Sequence, residues 1–382
     1  TFSPLLPVTL PLTLHSVLSH RRIMSQFHLI QQSPPFNVPI SIRNWTVDHR
    51  CNAAGSLGIL KKLDSPDGSQ SIMIKKFMNP YKTEERAQLV LRELNCLRTI
   101  NHSHIARMRG SYTVNDGFDN GISIYHITNY AGKPLIDKIE EGKYSMADVK
   151  KWMRELVEAL QHLHSNGVIF RNLHPRNICI DNNNNLTLTG FGKARVINRS
   201  NVMTKERGTD PYMSIEQQVD WVGPYDEKVD IWSVGAIFCE LILGDAIFSG
   251  KSIKNFLKLQ MEYCGPVPES VLQRMLETDR APIEQRNAIS DRKDFIVILR
   301  DRMKNGRTIG VAQLMENEEP LRDFIEHTLQ FDPHLRMSAE AALGHHFLRD
   351  LRPWERPPTS ANNLQFLAAS IHQEINACPM FA

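Results

Sequence analysis

Residues 170–177, with the sequence FRNLHPRN, place several side chains that could bind and orient a polar group within one short stretch. Asn172 and Asn177 each offer an amide, and His174 offers an imidazole. An amide can hold a hydroxyl by hydrogen bonds, but it cannot take up a proton near neutral pH. The stretch therefore predicts positioning of a polar group without a proton acceptor at Asn172.

The hydrophobic pattern around this stretch predicts the elements that must position it. Apolar residues recur with the period of a strand or a helix in these segments: strands within 44–78 and over Ile122–Thr128, helices over Thr83–Thr99, Met146–Ser165 and Val229–Leu243, and short strands around Ile178 and Leu186. A small β-rich half followed by a large helical half favours an α+β fold with a cleft between two lobes. We place the join near residues 130–132, where Gly132 permits a hinge.

Composition narrows the class of protein. The 382 residues suffice for two domains or one large bilobal domain, and the net charge of +3 gives no reason to expect nucleic acid or an anionic membrane as a partner. The six cysteines are scattered without a C-x-x-C pair, which argues against a disulfide framework or a zinc site and suits a reducing compartment. No apolar run reaches the length of a membrane span.

Two motifs in the β-rich half resemble those of protein kinases. The stretch 53–58, AAGSLG, is similar to the glycine-rich loop G-x-G-x-x-G, with Ala53 in place of the first glycine and with Gly55 and Gly58 retained. Taken alone, a turn in a hairpin is the favoured interpretation. Lys75, in IMIK, stands where the family has the lysine that contacts phosphates, and Glu93 matches its helix partner. Two solvated charges are the alternative.

Residues 170–177 resemble the catalytic loop H-R-D-L-K-P-x-N of the same family. The loop matches that pattern at Arg171, Leu173, Pro175 and Asn177. Phe170 replaces a histidine that mostly packs in the core, which is tolerable. Asn172 stands at the position of the catalytic aspartate, and His174 replaces a lysine near the transferred phosphate. The resemblance thus implies a kinase loop without its general base.

The metal-binding position shows a similar loss. Residues 189–195, TGFGKAR, resemble the segment that carries the family's metal-binding aspartate, and Gly190 occupies that position. Asn177 matches the other metal ligand, but one neutral amide seldom holds Mg²⁺. The structural signals of a kinase are retained at Glu216, Asp230 and Arg336.

The large lobe is similar to MAP kinases, nearest the stress-activated branch, in residues 241–250 and 341–348. Where that family carries a doubly phosphorylated T-x-Y, this chain has Thr204 and Glu206. Glu206 either imitates a phosphate, marks the loss of the switch, or is a solvated loop charge. Arg171 is retained, and in the family it pairs with the phosphothreonine, so phosphorylation of Thr204 remains conceivable. Residues 349–356 are basic where an acidic docking patch is usual, so ordinary basic docking motifs should not be held there.

The resemblance implies a bilobal kinase fold with an ATP cleft between the lobes. The expected divisions are a disordered extension at 1–43, with Met24 as a natural first residue, an N-lobe at 44–130, a C-lobe at 131–348 and a C-terminal extension at 349–382. The implied nucleotide-contacting residues are Ala53, Gly55, Gly58, Leu60, Lys75, Thr128 and Tyr130. The retained residues favour ATP as a ligand, whereas Ala53 and Gly190 weaken that expectation, above all for Mg²⁺.

Two functions follow from the resemblance. One is a Ser/Thr protein kinase that transfers the ATP γ-phosphate with atypical residues. The other, which we favour, is a pseudokinase that binds nucleotide or signalling proteins, because Asn172 and Gly190 both remove chemistry. A decaying gene copy without a selected role is a third interpretation. We expect a monomer in the cytoplasm, with access to the nucleus, that binds neither nucleic acid nor membrane.

Overall fold

The computed structural model describes ten stretches of the chain: residues 46–55, 58–77, 80, 82–115, 122–196, 210–218, 225–250, 253–276, 294–303 and 318–349. The expectations for residues 1–43, for Met24, for Thr204 and Glu206, and for the extension beyond residue 349 fall outside these stretches. Among the described residues, no helix is both long and apolar enough to cross a membrane. The chain divides into two compact units, with divisions at Asn95/Cys96, Arg107/Met108 and Thr128/Asn129.

The first unit is built on a five-stranded sheet. Its strands are β1 (Thr46–Gly55), β2 (Gly58–Asp64), β3 (Ser71–Phe77), β4 (Met108–Asn115) and β5 (Ile122–Asn129), in the spatial order β1-β2-β3-β5-β4. The pairs β1–β2, β2–β3 and β4–β5 are antiparallel. Leu63, Ile72 and Ile127 form a buried cluster on the sheet, because alternate residues of a strand share one face. Helix α1 (Glu84–Thr99) begins with two acids that suit the positive end of its dipole.

The second unit is mainly helical. Its helices are α2 (Leu135–Glu141), α3 (Met146–Ser165), α4 (Ile215–Gln218), α5 (Lys228–Leu243), α6 (Ile253–Cys264), α7 (Glu269–Leu276), α8 (Phe295–Met303), α9 (Glu318–Thr328), α10 (Ala339–Gly344) and α11 (His346–Arg349). Ser145 starts α3 with a capping box, in which its hydroxyl accepts from the Asp148 amide and the Asp148 carboxylate accepts from the Ser145 amide. Helix α5 is buried from Val229 to Leu243, and this makes it the centre of the unit.

Two small sheets in the second unit hold the loops of interest. Strand β7 (Val168–Ile169) pairs with β10 (Arg195–Val196). Strands β6 (Lys133–Pro134), β8 (Ile178–Ile180) and β9 (Leu186–Leu188) form the other sheet. Residues 170–177 therefore connect β7 to β8, and Gly190 lies two residues beyond the end of β9.

The strongly periodic segments fold as the sequence predicts. Helices α1, α3 and α5 and strand β5 match the predicted segments to within about one residue at each end. The hinge at Gly132 stays a prediction, and the structure gives another reason for a glycine there. Its φ is +100°, and an added Cβ would lie 2.1 Å from the carbonyl oxygen of Ile180. Only glycine allows the chain to pass this close to β8.

Candidate active site

Lys75 and Glu93 form an ion pair in the first unit. Lys75 lies on β3 and Glu93 on α1, and the Lys75 Nζ lies 2.7 Å from each carboxylate oxygen. The side chain of Glu93 is almost completely buried and that of Lys75 is mostly buried. Charge-assisted hydrogen bonds of this length fix both side chains. The alternative of two solvated charges does not describe this geometry.

His126 lies against this pair, although no motif in the sequence marks it as a functional residue. It is buried on β5, with Nε2 3.8 Å from Glu93 Oε1 and its ring edge-on to Phe77. Its Nδ1 has no hydrogen-bond partner among the described residues. Burial lowers the pKa of His126 to about 4; the charge of Lys75 acts in the same direction and that of Glu93 against it. The only indication of its burial in the sequence is the period of the strand, which puts His126 on the same face as Ile124 and Thr128.

We expect His126 to make the stability of the protein depend on pH. Its folded pKa lies below its ordinary value, so between about pH 6.5 and 4 the unfolded chain binds a proton that the folded chain does not. The free energy of unfolding should therefore decrease as the pH is lowered. Between about pH 7 and pH 5, His126 should account for a decrease of about 2 kcal/mol. Urea unfolding of the wild type and of His126→Leu, at both pH values, measures the difference.

The matched control is His334→Gln, which alters an exposed histidine. We expect this variant to keep the pH dependence of the wild type. If His126→Leu keeps it as well, His126 is not the source.

The predicted glycine-rich loop connects β1 and β2. Ala53 pairs with Leu60, and Gly55 pairs with Gly58, so the two glycines face each other at the hairpin end. A Cβ on Gly58 would lie 2.0 Å from the carbonyl oxygen of Lys76 on β3. Gly58 is therefore required by strand packing, whether or not it contacts phosphate. Leu60 in turn pairs with Lys75 across β2 and β3.

Thr128 and Tyr130, the other predicted nucleotide contacts, lie at the end of β5 and just beyond it. Thr128 is buried and pairs with Met108 on β4, whereas Tyr130 is half-buried. Little of the Thr128 side chain is therefore exposed to a ligand.

Asp230, at the start of α5, holds the backbone of residues 170–177. The amides of Phe170 and Arg171 donate to its carboxylate at 2.8 and 2.7 Å, and Nε2 of His164 lies 2.9 Å from Oδ2. Arg171 has a φ of +66°, a left-handed conformation that is strained for this residue type. Two charge-assisted hydrogen bonds, both accepted by this one carboxylate, offset that strain.

Hydrogen bonds within the same loop connect Asn172, His174 and Asn177. The side-chain Nδ2 of Asn172 donates to His174 Nε2 at 3.3 Å, and the side-chain Nδ2 of Asn177 donates to the backbone carbonyl oxygen of Asn172 at 3.1 Å. Burial lowers the pKa of His174 to about 4, with the charges of Lys193 and Arg176 acting in the same direction. The imidazole is therefore neutral at pH 7 and does not replace the positive charge of a lysine.

Gly190 adopts a left-handed conformation, with a φ of +79°. A Cβ at this position would lie 2.5 Å from the side-chain oxygen of Asn177, so the Asn177 amide fills the space beside Gly190. Thr189 fixes this arrangement, because its amide donates to the Asn177 carbonyl oxygen at 2.8 Å. Gly190 and Asn177 together offer one neutral amide, and this donor set does not fit Mg²⁺, which prefers carboxylates.

Arg171 also makes contacts through its side chain. Its Nε donates to the Lys193 carbonyl oxygen at 2.6 Å, and its guanidinium lies 3.3 Å from the Tyr225 hydroxyl. Gln217 donates to the Arg171 carbonyl oxygen at 3.1 Å. These contacts join the loop to the segments on either side of residues 197–209.

The predicted structural pair Glu216 and Arg336 is buried in the second unit. Arg336 lies 2.8 Å from Glu216 and also donates to the carbonyl oxygens of Gln330 and Lys228. Its guanidinium stacks over Trp232 at 5.3 Å. Both charged groups thus have partners in the core, as buried charges require.

Comparison with known proteins identifies the class. A family profile described as "Protein kinase domain" matches residues 54–348. The chain belongs to the protein kinase family, and the predicted α+β kinase fold, β-rich in its N-terminal part and helical in its C-terminal part, is confirmed.

The most informative relatives are mitogen-activated protein kinases named HOG1. The chain is 28% identical over 314 residues to the one from Alternaria brassicicola, covering 82% of each chain. It is 27% identical over 333 residues to the one from Arthrobotrys oligospora, covering 87% of this chain and 88% of the relative. The predicted resemblance to MAP kinases, nearest the stress-activated branch, is confirmed.

Proposed function

We propose that this chain is a MAP-kinase-like protein with strongly impaired phosphate transfer that acts in signalling by binding nucleotide, proteins or both. The observation that carries the proposal is the pair Gly190 and Asn177: the first has no side chain, and the amide of the second fills the adjoining space. Asn172 adds the lack of a general base.

The energetic consequence is large. Loss of a general base typically lowers the rate by about 10²–10⁴, or roughly 3–5 kcal/mol in the barrier. Loss of the main metal ligand removes several kcal/mol more of charge stabilisation. The two losses need not add, since both groups serve one transition state.

Nucleotide binding is the part of kinase function that the retained residues support. Lys75 is held by Glu93 at 2.7 Å and so presents an oriented ammonium group, which suits a phosphate. The donor set of Gly190 and Asn177, in contrast, gives no reason for a nucleotide to require Mg²⁺.

We expect ATP to raise the melting temperature of the protein, with no further gain when Mg²⁺ is added. At about a hundred times its Kd, a ligand stabilises the folded state by about 2.7 kcal/mol. A thermal-shift titration with ATP, in EDTA and then in Mg²⁺, measures both effects.

The control for that titration is Lys75→Met, which should remove most of the shift. A shift that appears only with Mg²⁺ would contradict the proposal. If ATP gives no shift in either buffer, nucleotide is not a ligand, and the proposed role narrows to binding proteins.

A catalytically active kinase is the second candidate. The Lys75–Glu93 ion pair favours it, and so do the two hydrogen bonds that the loop backbone donates to Asp230, because both are structural features of a kinase site. Transfer of labelled γ-phosphate to a generic substrate, abolished by Lys75→Met, would establish this candidate and overturn the first.

The remaining parts of the proposal concern partners and location. The MAP kinase relatives support signalling proteins as the partners. We also propose that the chain is a monomer in the cytoplasm with access to the nucleus and that Thr204 remains a phosphorylation site. Glu206 either imitates a second phosphate, marks the loss of that switch, or is a solvated loop charge. Phosphopeptide mapping tests phosphorylation of Thr204, and fluorescence microscopy of the tagged chain tests its location.

A further inference from the structure

Three histidines surround one aspartate on the surface of the second unit. Asp323 lies on α9, with Nδ1 of His327 2.9 Å from its Oδ1. From the junction of α10 and α11, His345 Nε2 lies 2.8 Å and His346 Nδ1 4.0 Å from Asp323 Oδ2. Asp323, His345 and His346 each present one ligand atom, and these atoms all lie within 4.8 Å of one another.

We propose that Asp323, His345 and His346 bind a divalent transition-metal ion, with Zn²⁺ the best chemical match. Imidazole nitrogens suit Zn²⁺, Ni²⁺ and Cu²⁺, and a carboxylate with two imidazoles is a common ligand set for Zn²⁺. The scattered cysteines argue against a cysteine-ligated zinc site, but they do not bear on this set. The site is separate from the proposed function and does not depend on it.

The distances suit a small ion after modest movement. Bonds of about 2.0–2.1 Å in a tetrahedron place ligand atoms about 3.3 Å apart. The separations from Asp323 Oδ2, 2.8 Å to His345 and 4.0 Å to His346, lie on either side of that value. His346 is exposed and begins α11, so its ring can move toward the aspartate.

The protonation of His345 changes when the ion binds. The Phe347 amide donates to His345 Nδ1 at 3.2 Å, which leaves the ring proton on Nε2, facing Asp323. For Nε2 to bind a metal ion, this proton must move to Nδ1, and the hydrogen bond from Phe347 is lost. That bond is at the long limit for N–H donors, so its loss is small beside two new metal–nitrogen bonds.

The rest of the cluster keeps the ligands in place. His327 Nδ1 also lies 2.8 Å from the Asp323 carbonyl oxygen, so His327 acts as a positioning residue for the carboxylate. The His345 ring packs edge-on against Phe324, and Phe347 packs against Phe238 and Phe324 in the core. Because Asp323 and His346 are partly exposed, solvent can supply the ion and the remaining ligands.

Metal-depleted full-length protein should bind Zn²⁺ and Co²⁺, as measured by competition with a chromophoric chelator. Replacement of one ligand, in His346→Ala, should weaken Zn²⁺ binding at least about tenfold, given that even outer partners of a metal site contribute 10–100-fold. The visible absorption of bound Co²⁺ should weaken in the same variant. His346 is exposed, so its replacement should leave the fold intact.

The matched control is His334→Ala, which removes an exposed histidine outside the cluster and should keep wild-type affinity. A second variant, Asp323→Asn, should also lose affinity while keeping the size of the side chain. Equal Zn²⁺ affinity of the wild type and His346→Ala, or no binding by the wild type, would overturn the proposal.

Discussion

Asn172→Asp and Gly190→Asp together are expected to raise the rate of γ-phosphate transfer by at least about 10²-fold over the wild type. The first change supplies a carboxylate that can take the proton of a substrate hydroxyl, which is worth about 10²–10⁴ in rate. The second supplies an oxygen ligand of the kind that Mg²⁺ prefers. The Lys75–Glu93 ion pair is retained in the first unit, and Asp230 still holds the loop backbone in the second.

Each single variant should recover much less than the double variant. The two groups serve one transition state, and groups that act as a unit show strongly non-additive effects. Gly190→Asp also has a structural cost, because its Cβ would lie 2.5 Å from the side-chain oxygen of Asn177. Asn177 must turn aside, which a terminal amide can do, and aspartate tolerates the left-handed backbone better than most residues.

Labelled γ-phosphate transfer to a generic protein substrate measures the gain, with Mg²⁺ in excess. Adding Lys75→Met to the double variant should abolish the gain, and Asn183→Asp, at an exposed asparagine of the same unit, should give none. A double variant that folds, binds ATP and is no faster than the wild type would show that the chemistry was lost elsewhere.

Replacement of Arg336 by leucine is expected to lower the free energy of unfolding by about 3–5 kcal/mol, the usual cost of breaking a buried ion pair. Both Arg336 and Glu216 are about 1% exposed, so the change leaves a carboxylate in the core without its partner. It also removes the hydrogen bonds from Arg336 to the carbonyl oxygens of Gln330 and Lys228. Urea unfolding followed by circular dichroism measures the loss.

The control is Arg322→Ala, which breaks partly exposed ion pairs with Asp294 and Glu319. Surface pairs of this kind contribute at most about 1 kcal/mol. If the two variants lose similar free energies of unfolding, Arg336 contributes no more to stability than a surface charge does. Both variants remove an arginine charge, so a difference between them reports the effect of burial.

The sequence by itself determined the family and the residues that stand at two positions important for phosphate transfer in that family. The order and spacing of the motifs, from Gly58 and Lys75 to Asp230, predict a kinase fold, and strongly periodic segments such as α3 and α5 fold where they are predicted. The identities of Asn172 and Gly190 are enough to remove a base and a metal ligand, because an amide and a hydrogen cannot do that chemistry in any conformation.

Only the tertiary structure decided which side chains meet. In the sequence, His126 is one residue of a predicted strand, and only the packing shows that it is buried beside Glu93. The Asn177 amide fills the space at Gly190 because β8 and β9 pair. Asp323 and His346 lie on different helices, and the packing of α9 against the junction of α10 and α11 brings them together. Periodicity fixes which face of an element is apolar, whereas contacts between elements depend on how those faces pack.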